Sequence, residues 1–163
     1  MRHAGYGHRG FTLIELIMVL TIVSVLAAVA LPRFASISAD ARVDKVRAAA
    51  GATRSAAVMG RALMLARGYP DNFTGIAASP ALVVEGLTLS FVNGYPSAQV
   101  IAELAGLASP VPGSSGYIVQ AAAGGMRTVQ ADPQRPGCAF AYVEAAPGGT
   151  PDIQVTASPS TCE

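Results

Sequence analysis

The chain has 163 residues, 52% hydrophobic and 13% charged, with eleven basic and ten acidic side chains, no tryptophan and two cysteines. That length suits one soluble domain plus an anchor. No G-x-G-x-x-G, P-loop or H-E-x-x-H string occurs, which removes the commonest nucleotide and metalloprotease chemistries.

The first ten residues are a basic leader, with Arg2, Arg9 and a final Gly10. From Phe11 to Leu31 the sequence is apolar, and Glu15 is its one charge. A helix of that length crosses the hydrocarbon core. Thirteen of these residues are Leu, Ile, Val or Phe. At about −0.3 to −0.6 kcal/mol each they contribute roughly −4 to −8 kcal/mol to insertion. Glu15, costed as a mid-membrane acid, returns about 2.5 to 3.5 kcal/mol, so insertion wins.

A secretory signal places its small-residue cleavage site after the apolar region. Here Gly10 stands before it, and Ala28-Val29-Ala30 leads straight into Leu31-Pro32-Arg33. Cleavage at Gly10 would leave the apolar helix as the new N-terminus. A carboxylate inside lipid calls for a partner. The freed amine of Phe11, on its own helix or a neighbour's, is one. The alternative is that Glu15 only complements the helix N-terminal dipole, worth a few tenths to about 1 kcal/mol.

Gly10-Phe11-Thr12-Leu13-Ile14-Glu15 followed by an unbroken apolar helix resembles the prepilin signature of type IV pilins and type II secretion pseudopilins. The resemblance implies that a prepilin peptidase cuts between Gly10 and Phe11 and methylates the Phe11 amine. It implies that Glu15 pairs with the Phe11 amine of an adjacent subunit during assembly. Pro32 falls where many members carry proline, and should kink or loosen the helix there.

Both histidines, His3 and His8, lie in the leader, so a processed chain has none for a Ser-His-Asp, Cys-His or zinc arrangement. No catalytic residues, metal site or cofactor are expected. Residues 33–67 carry seven bases against Asp40 and Asp44, whereas residues 68–163 carry seven acids against Arg127 and Arg135. That asymmetry reads as subunit complementarity or as a solvated helix face. Nucleic acid is disfavoured, because no aromatic residues interleave the bases.

Residues 33–66 continue the helix, with two apolar stripes. One runs Phe34, Ile37, Ala41, Ala48, Ala52, Met59, Leu63, Ala66; the other runs Val43, Val46, Ala50, Thr53, Ala57, Gly60, Met64. Both need burial, one against the chain's own head and one against neighbours. Gly68-Tyr69-Pro70 ends the helix. A continuous helix over residues 11–67 would span roughly 85 Å.

Beyond it, strands are predicted at Ala81–Glu85, Leu87–Val92, Tyr117–Ala121, Thr128–Ala131, Cys138–Val143 and Ile153–Thr156. Asn93-Gly94-Tyr95-Pro96 reads as a turn, and residues 110–116 as a loop. Ser97 is expected to cap a short helix through Leu104, closed by Gly106. The whole predicts an antiparallel sheet laid on the helix. Cys138 and Cys162 are either bridged or free; a bridge would contribute roughly 3 to 4 kcal/mol. The family resemblance implies the bridge, enclosing a C-terminal loop.

Phe34 with Asp40-Ala41-Arg42, the Gly94-Tyr95-Pro96 turn, and Cys138-Ala139-Phe140-Ala141-Tyr142 with Ile153-Gln154-Val155-Thr156 and Cys162 look like the mannose-sensitive haemagglutinin (MSHA) type of pilin. The major secretion pseudopilins commonly end in a calcium loop of clustered acids, and Pro147-Gly148-Gly149-Thr150 supplies none. The resemblance therefore implies an α+β type IV pilin fold in four parts. These are a leader (1–10), a transmembrane and assembly helix (11–31), an amphipathic helix (32–67) and a β-rich head (68–163). It implies a structural subunit that polymerises into a helical filament for surface attachment, with a secretion pseudopilus as the alternative. The implied partners are further copies, minor pilins, the prepilin peptidase, an inner-membrane assembly platform, and lipid before assembly. The implied location is the inner membrane with a periplasmic head, then an extracellular pilus.

Overall fold

The computed structural model describes residues 11–108 and 116–163. The leader, and all but Gly116 of the expected 110–116 loop, lie outside the described residues. Helix α1 runs from Leu13 to Ala66. Its residues divide between two compact units, one ending at Ile37 and the other comprising Ser38–Glu163.

In the first unit the helix begins at Leu13 and continues through Pro32 without a break. Thr21 and Ser24 donate their hydroxyls back to the carbonyls of Met18 and Thr21 (both 2.8 Å). Each polar side chain in the apolar run thus satisfies its own donor, a requirement where no water is at hand.

In the second unit, Ala39, Val43, Val46, Ala50, Thr53, Ala57, Gly60 and Met64 are buried at alternating three- and four-residue steps. This is the second predicted stripe, and it supports the whole head. Val43, Val46, Ala49 and Ala50 pack with Leu107, Val129, Phe140 and the cysteines. Ala56 and Ala57 pack with Ala98, Ile101 and Tyr142. Met64 packs with Ala77, Leu82, Leu89 and Phe91. A fully buried side chain of that size stabilises by about 1.5 to 3 kcal/mol. The helix ends as predicted: Gly68 takes φ +82, its N–H reaches Leu65 O (3.0 Å), and Tyr69 N–H reaches Met64 O (3.3 Å). These bonds occupy carbonyls that the last turn would otherwise leave open.

The head carries three antiparallel sheets where the sequence predicted one. Strands β1 (Gly75–Ile76), β4 (Ser90–Val92) and β5 (Tyr95–Pro96) form the first, in the order β1-β4-β5. Strands β2 (Val83–Val84) and β3 (Leu87–Thr88) form a separate hairpin. After the single-turn helix α2 (Ile101–Leu104), β6 (Ile118–Val119), β7 (Met126–Gln130), β8 (Ala139–Val143) and β9 (Asp152–Val155) make a four-stranded meander. Register is longest between β7 and β8, from Met126↔Val143 to Gln130↔Ala139. The buried Tyr142 hydroxyl on β8 donates to Pro96 O (2.6 Å) and ties two sheets together.

Several expectations are corrected. The run Leu87–Val92 is not one strand: Leu89 gives its N–H to Leu82 O beside the β2–β3 hairpin (2.9 Å) but its carbonyl receives Ala77 N–H (3.3 Å), and β4 joins another sheet. The expected strand Ala81–Glu85 is only Val83–Val84, because Glu85 turns into a left-handed conformation with φ 51. Tyr95-Pro96 is not turn but edge strand, a position where proline's missing N–H costs no ladder bond. The turn is Asn93-Gly94 alone, with φ 50 and 82, the two-residue geometry that Asn-Gly suits. Gly94 is doubly required, since a Cβ there would meet the Asp71 carbonyl. Ser97 does not cap α2; its hydroxyl pairs with that of Ser90 (2.5 Å), and α2 has no side-chain cap. Gly106 does close α2, with φ +69. The Glu85-Gly86 turn repeats the Asn93-Gly94 geometry with φ 51 and 84, and a non-glycine residue there costs about 1 to 2 kcal/mol.

Candidate functional site: the helix start and its apolar run

The start of α1 is built by a reciprocal cap. Thr12 N–H and Thr12 Oγ1 both donate to Glu15 Oε2 (3.0 and 2.8 Å), and Glu15 N–H donates to Thr12 Oγ1 (3.3 Å). Thr12 is therefore the N-cap and Glu15 the third residue of the first turn, a capping box. The Thr-x-x-Glu spacing that announces it stands in the sequence. Thr12 is the functional residue that the sequence analysis does not assign, and the Thr-x-x-Glu spacing is the signal for it.

Among the described residues, every hydrogen bond to the Glu15 carboxylate falls on Oε2. The cap lowers the cost of holding this acid in an apolar segment. It also leaves Oε1 as an acceptor for a cation from elsewhere. Phe11 is 82% exposed and lies just outside the helix. Among the described residues no hydrogen bond or ion pair joins Phe11 to Glu15. Gly10 lies outside the described residues, and Pro32 sits within α1 with no further feature.

Behind this cap the large apolar side chains from Leu13 to Leu31 are exposed. The helix is long and apolar enough to cross a membrane, and its most apolar stretch is wholly unburied within the chain. A soluble core helix would hide that face. Among the described residues nothing covers this one.

The predicted cysteines are brought together as a disulfide, Cys138–Cys162, both fully buried against Val43 and Val46. Around it Arg42 donates to Cys162 O (3.0 Å) and lies 3.6 Å from Asp132. Arg135 donates to Asp132 Oδ2 and to Glu163 O (both 2.5 Å). The Gln134 N–H first, then both guanidinium groups, hold the Asp132 carboxyl below the usual range. Lys45 reaches Gly116 O and lies over the Tyr117 ring at 4.8 Å. Among the described residues no three His, Cys, Asp or Glu side chains gather where a metal could sit.

The family model for the prokaryotic N-terminal methylation motif matches residues 6–31. The type IV major pilin protein PilE1 of Neisseria gonorrhoeae is 38% identical over 96 residues, covering 56% of this chain and 44% of that protein. The type IV narrow pilus major component PilA5 of Thermus thermophilus is 44% identical over 62 residues, 38% of this chain and 52% of that protein. The fimbrial protein EcpB of Eikenella corrodens is 43% identical over 51 residues, 31% of this chain and 32% of that protein. The chain thus spans about half the length, or less, of the curated relatives it matches. No solved structure matches. A methylation motif at the helix start, an exposed apolar helix behind it and pilins among its relatives together make the chain similar to type IV pilins over part of its length.

Proposed function

We propose that this chain is a structural subunit of a type IV pilus, of the MSHA type, whose work is polymerisation and surface attachment, with no enzymatic turnover. The observation that carries the reading is the unburied apolar run behind Glu15, which needs either lipid or other copies of itself to cover it. A prepilin peptidase cuts between Gly10 and Phe11 and methylates the Phe11 amine. The subunit waits in the inner membrane with its head in the periplasm, and an assembly platform passes it into the filament beside minor pilins. During that transfer Glu15 Oε1 accepts the Phe11 amine of the neighbouring copy, while Thr12 keeps Oε2. Pro32, with no N–H to give Ala28 O, is the point at which the helix loosens.

The test is Glu15→Ala. It should leave processing intact, and the processed subunit should collect in membranes and be lost from filaments sheared off the cell surface. Normal incorporation of that variant would sink the reading.

A further inference from the structure

The outer side of α1 between residues 38 and 66 has a second unexplained feature. Val58 is 60% and Met59 69% exposed, and Arg54 stands exposed on the same side of the helix as Arg47, which pairs with Asp44 at 3.5 Å. Between the two arginines lies Gly51, where an added Cβ would meet nothing. Other cations of this helix are used internally: Arg42 on Cys162 O, Lys45 on Gly116 O, Arg61 on Asp71 O and Gly94 O. Both cations of residues 68–163 are likewise spoken for, Arg127 by Glu103 (2.8 Å) and Arg135 by Asp132. Arg54 has no ion pair or hydrogen bond to its guanidinium among the described residues. Among the described residues Arg54 is therefore an unpaired cation on the outer face of α1, and residues 68–163 carry surplus negative charge.

The head offers a matching surface. Glu85 occupies the tip of the β2–β3 hairpin in a left-handed conformation that Asn occupies in the neighbouring Asn93-Gly94 turn. An acid held where Asn or Gly fits at lower cost serves something outside the hairpin. Beside it is a cleft of about 400 Å³ walled by Val84, Leu87 and Leu104, with Glu85 and Glu103 as its acids. Glu103 gives Oε1 to Arg127, and its buried Oε2 has no hydrogen-bond partner. Apolar walls with two carboxylates suit an arginine flanked by apolar side chains, whose planar fork matches a carboxylate.

Resting on the reading of this chain as a filament subunit, we propose that the Arg54 face of α1 docks on the Glu85 cleft of a second copy. Arg54 pairs with Glu85, and Val58 and Met59 cover the cleft walls. The two surfaces differ, so the contact is heterologous and extends a filament without closing a dimer. The pair sets register between successive heads, a task the uniform apolar helices perform poorly.

The experiment uses the full chain in cells and compares the filament fraction sheared from the surface for wild type, Arg54→Glu, Glu85→Arg and the double exchange. Like charges facing each other should lower each single variant's filament yield by about tenfold or more. The double exchange should restore most of it. Equal total amounts of disulfide-bonded protein, membrane and sheared fractions taken together, in all four show that folding is not what changed. Wild-type filament yield from Arg54→Glu, or a double exchange as defective as the singles, overturns the pairing alone. Absence of the unsubstituted chain from the sheared fraction overturns the filament reading beneath it.

Discussion

Two glycines on α1 allow the packing of the head to be tested against helix propensity with an internal control. At Gly60 an added Cβ would run into the ring of Pro96 and stand 3.2 Å from Leu104 Cδ2. Pro96 is fully buried in edge strand β5, so its ring has no free space to move into. At Gly51 the same atom meets nothing. Replacing either glycine by alanine gains about 0.8 to 1.0 kcal/mol of helix propensity. Only at position 60 does overpacking oppose it, at about 1 to 3 kcal/mol. Gly60→Ala should therefore lose up to about 2 kcal/mol net, whereas Gly51→Ala should gain about 1 kcal/mol. Urea unfolding of the full chain in detergent, followed by tyrosine emission, reads both. If the two alanines raise stability alike, α1 does not pack on Pro96 as described. Gly51 also lies on the face assigned to a second copy, so Gly51→Ala should separate a gain in stability from a loss in assembly.

Two further outcomes follow from the C-terminal segment. Replacing both Cys138 and Cys162 by alanine opens a closed loop with a sequence separation of 24 residues. The loss should be about 3.5 kcal/mol in the chain-entropy model, a large share of a typical domain's stability, visible as a fall in urea midpoint. A midpoint unchanged by the substitution would mean that the buried contacts with Val43 and Val46 hold the segment unaided. Asp132 has a lowered carboxyl pKa, so its stabilising effect is present above the unfolded value near 3.8 and is lost as pH falls through the lower folded value. Wild type should therefore exceed Asp132→Asn in melting temperature at neutral pH, and the two should converge in acid below the lowered folded value. A gap that persists there would assign the effect to shape and not to charge.

The elements legible in the sequence are those whose signal is long or conformationally forced. The apolar run from Phe11, the buried stripe Val43 to Met64, and the glycine ends at Gly68 and Gly106 all follow from period and backbone freedom. Two-residue strands carry no such period. Gly75-Ile76 shows no alternation to find, and the break at Leu89 arises because its carbonyl serves Ala77, a partner twelve residues away. Periodicity revealed two apolar stripes on α1 but not which would face the chain's own head. That choice is made by the shape of the packed residues: the stripe with Ala50, Thr53, Ala57 and Gly60 lets α2 and β8 approach closely. Phe34, Ile37 and Met59, on the other stripe, are left exposed. At the helix start the Glu15 carboxylate was conspicuous, while its capping partner Thr12 was one of many hydroxyls until the geometry joined them.

The central claim, that this is a processed filament subunit, is tested most directly by intact mass spectrometry of the fraction sheared from the cell surface, set beside the membrane fraction. The account predicts an abundant sheared species that begins at methylated Phe11 and lacks two hydrogens for the Cys138–Cys162 bridge. A chain still carrying residues 1–10, or a processed chain confined to membranes, would contradict it.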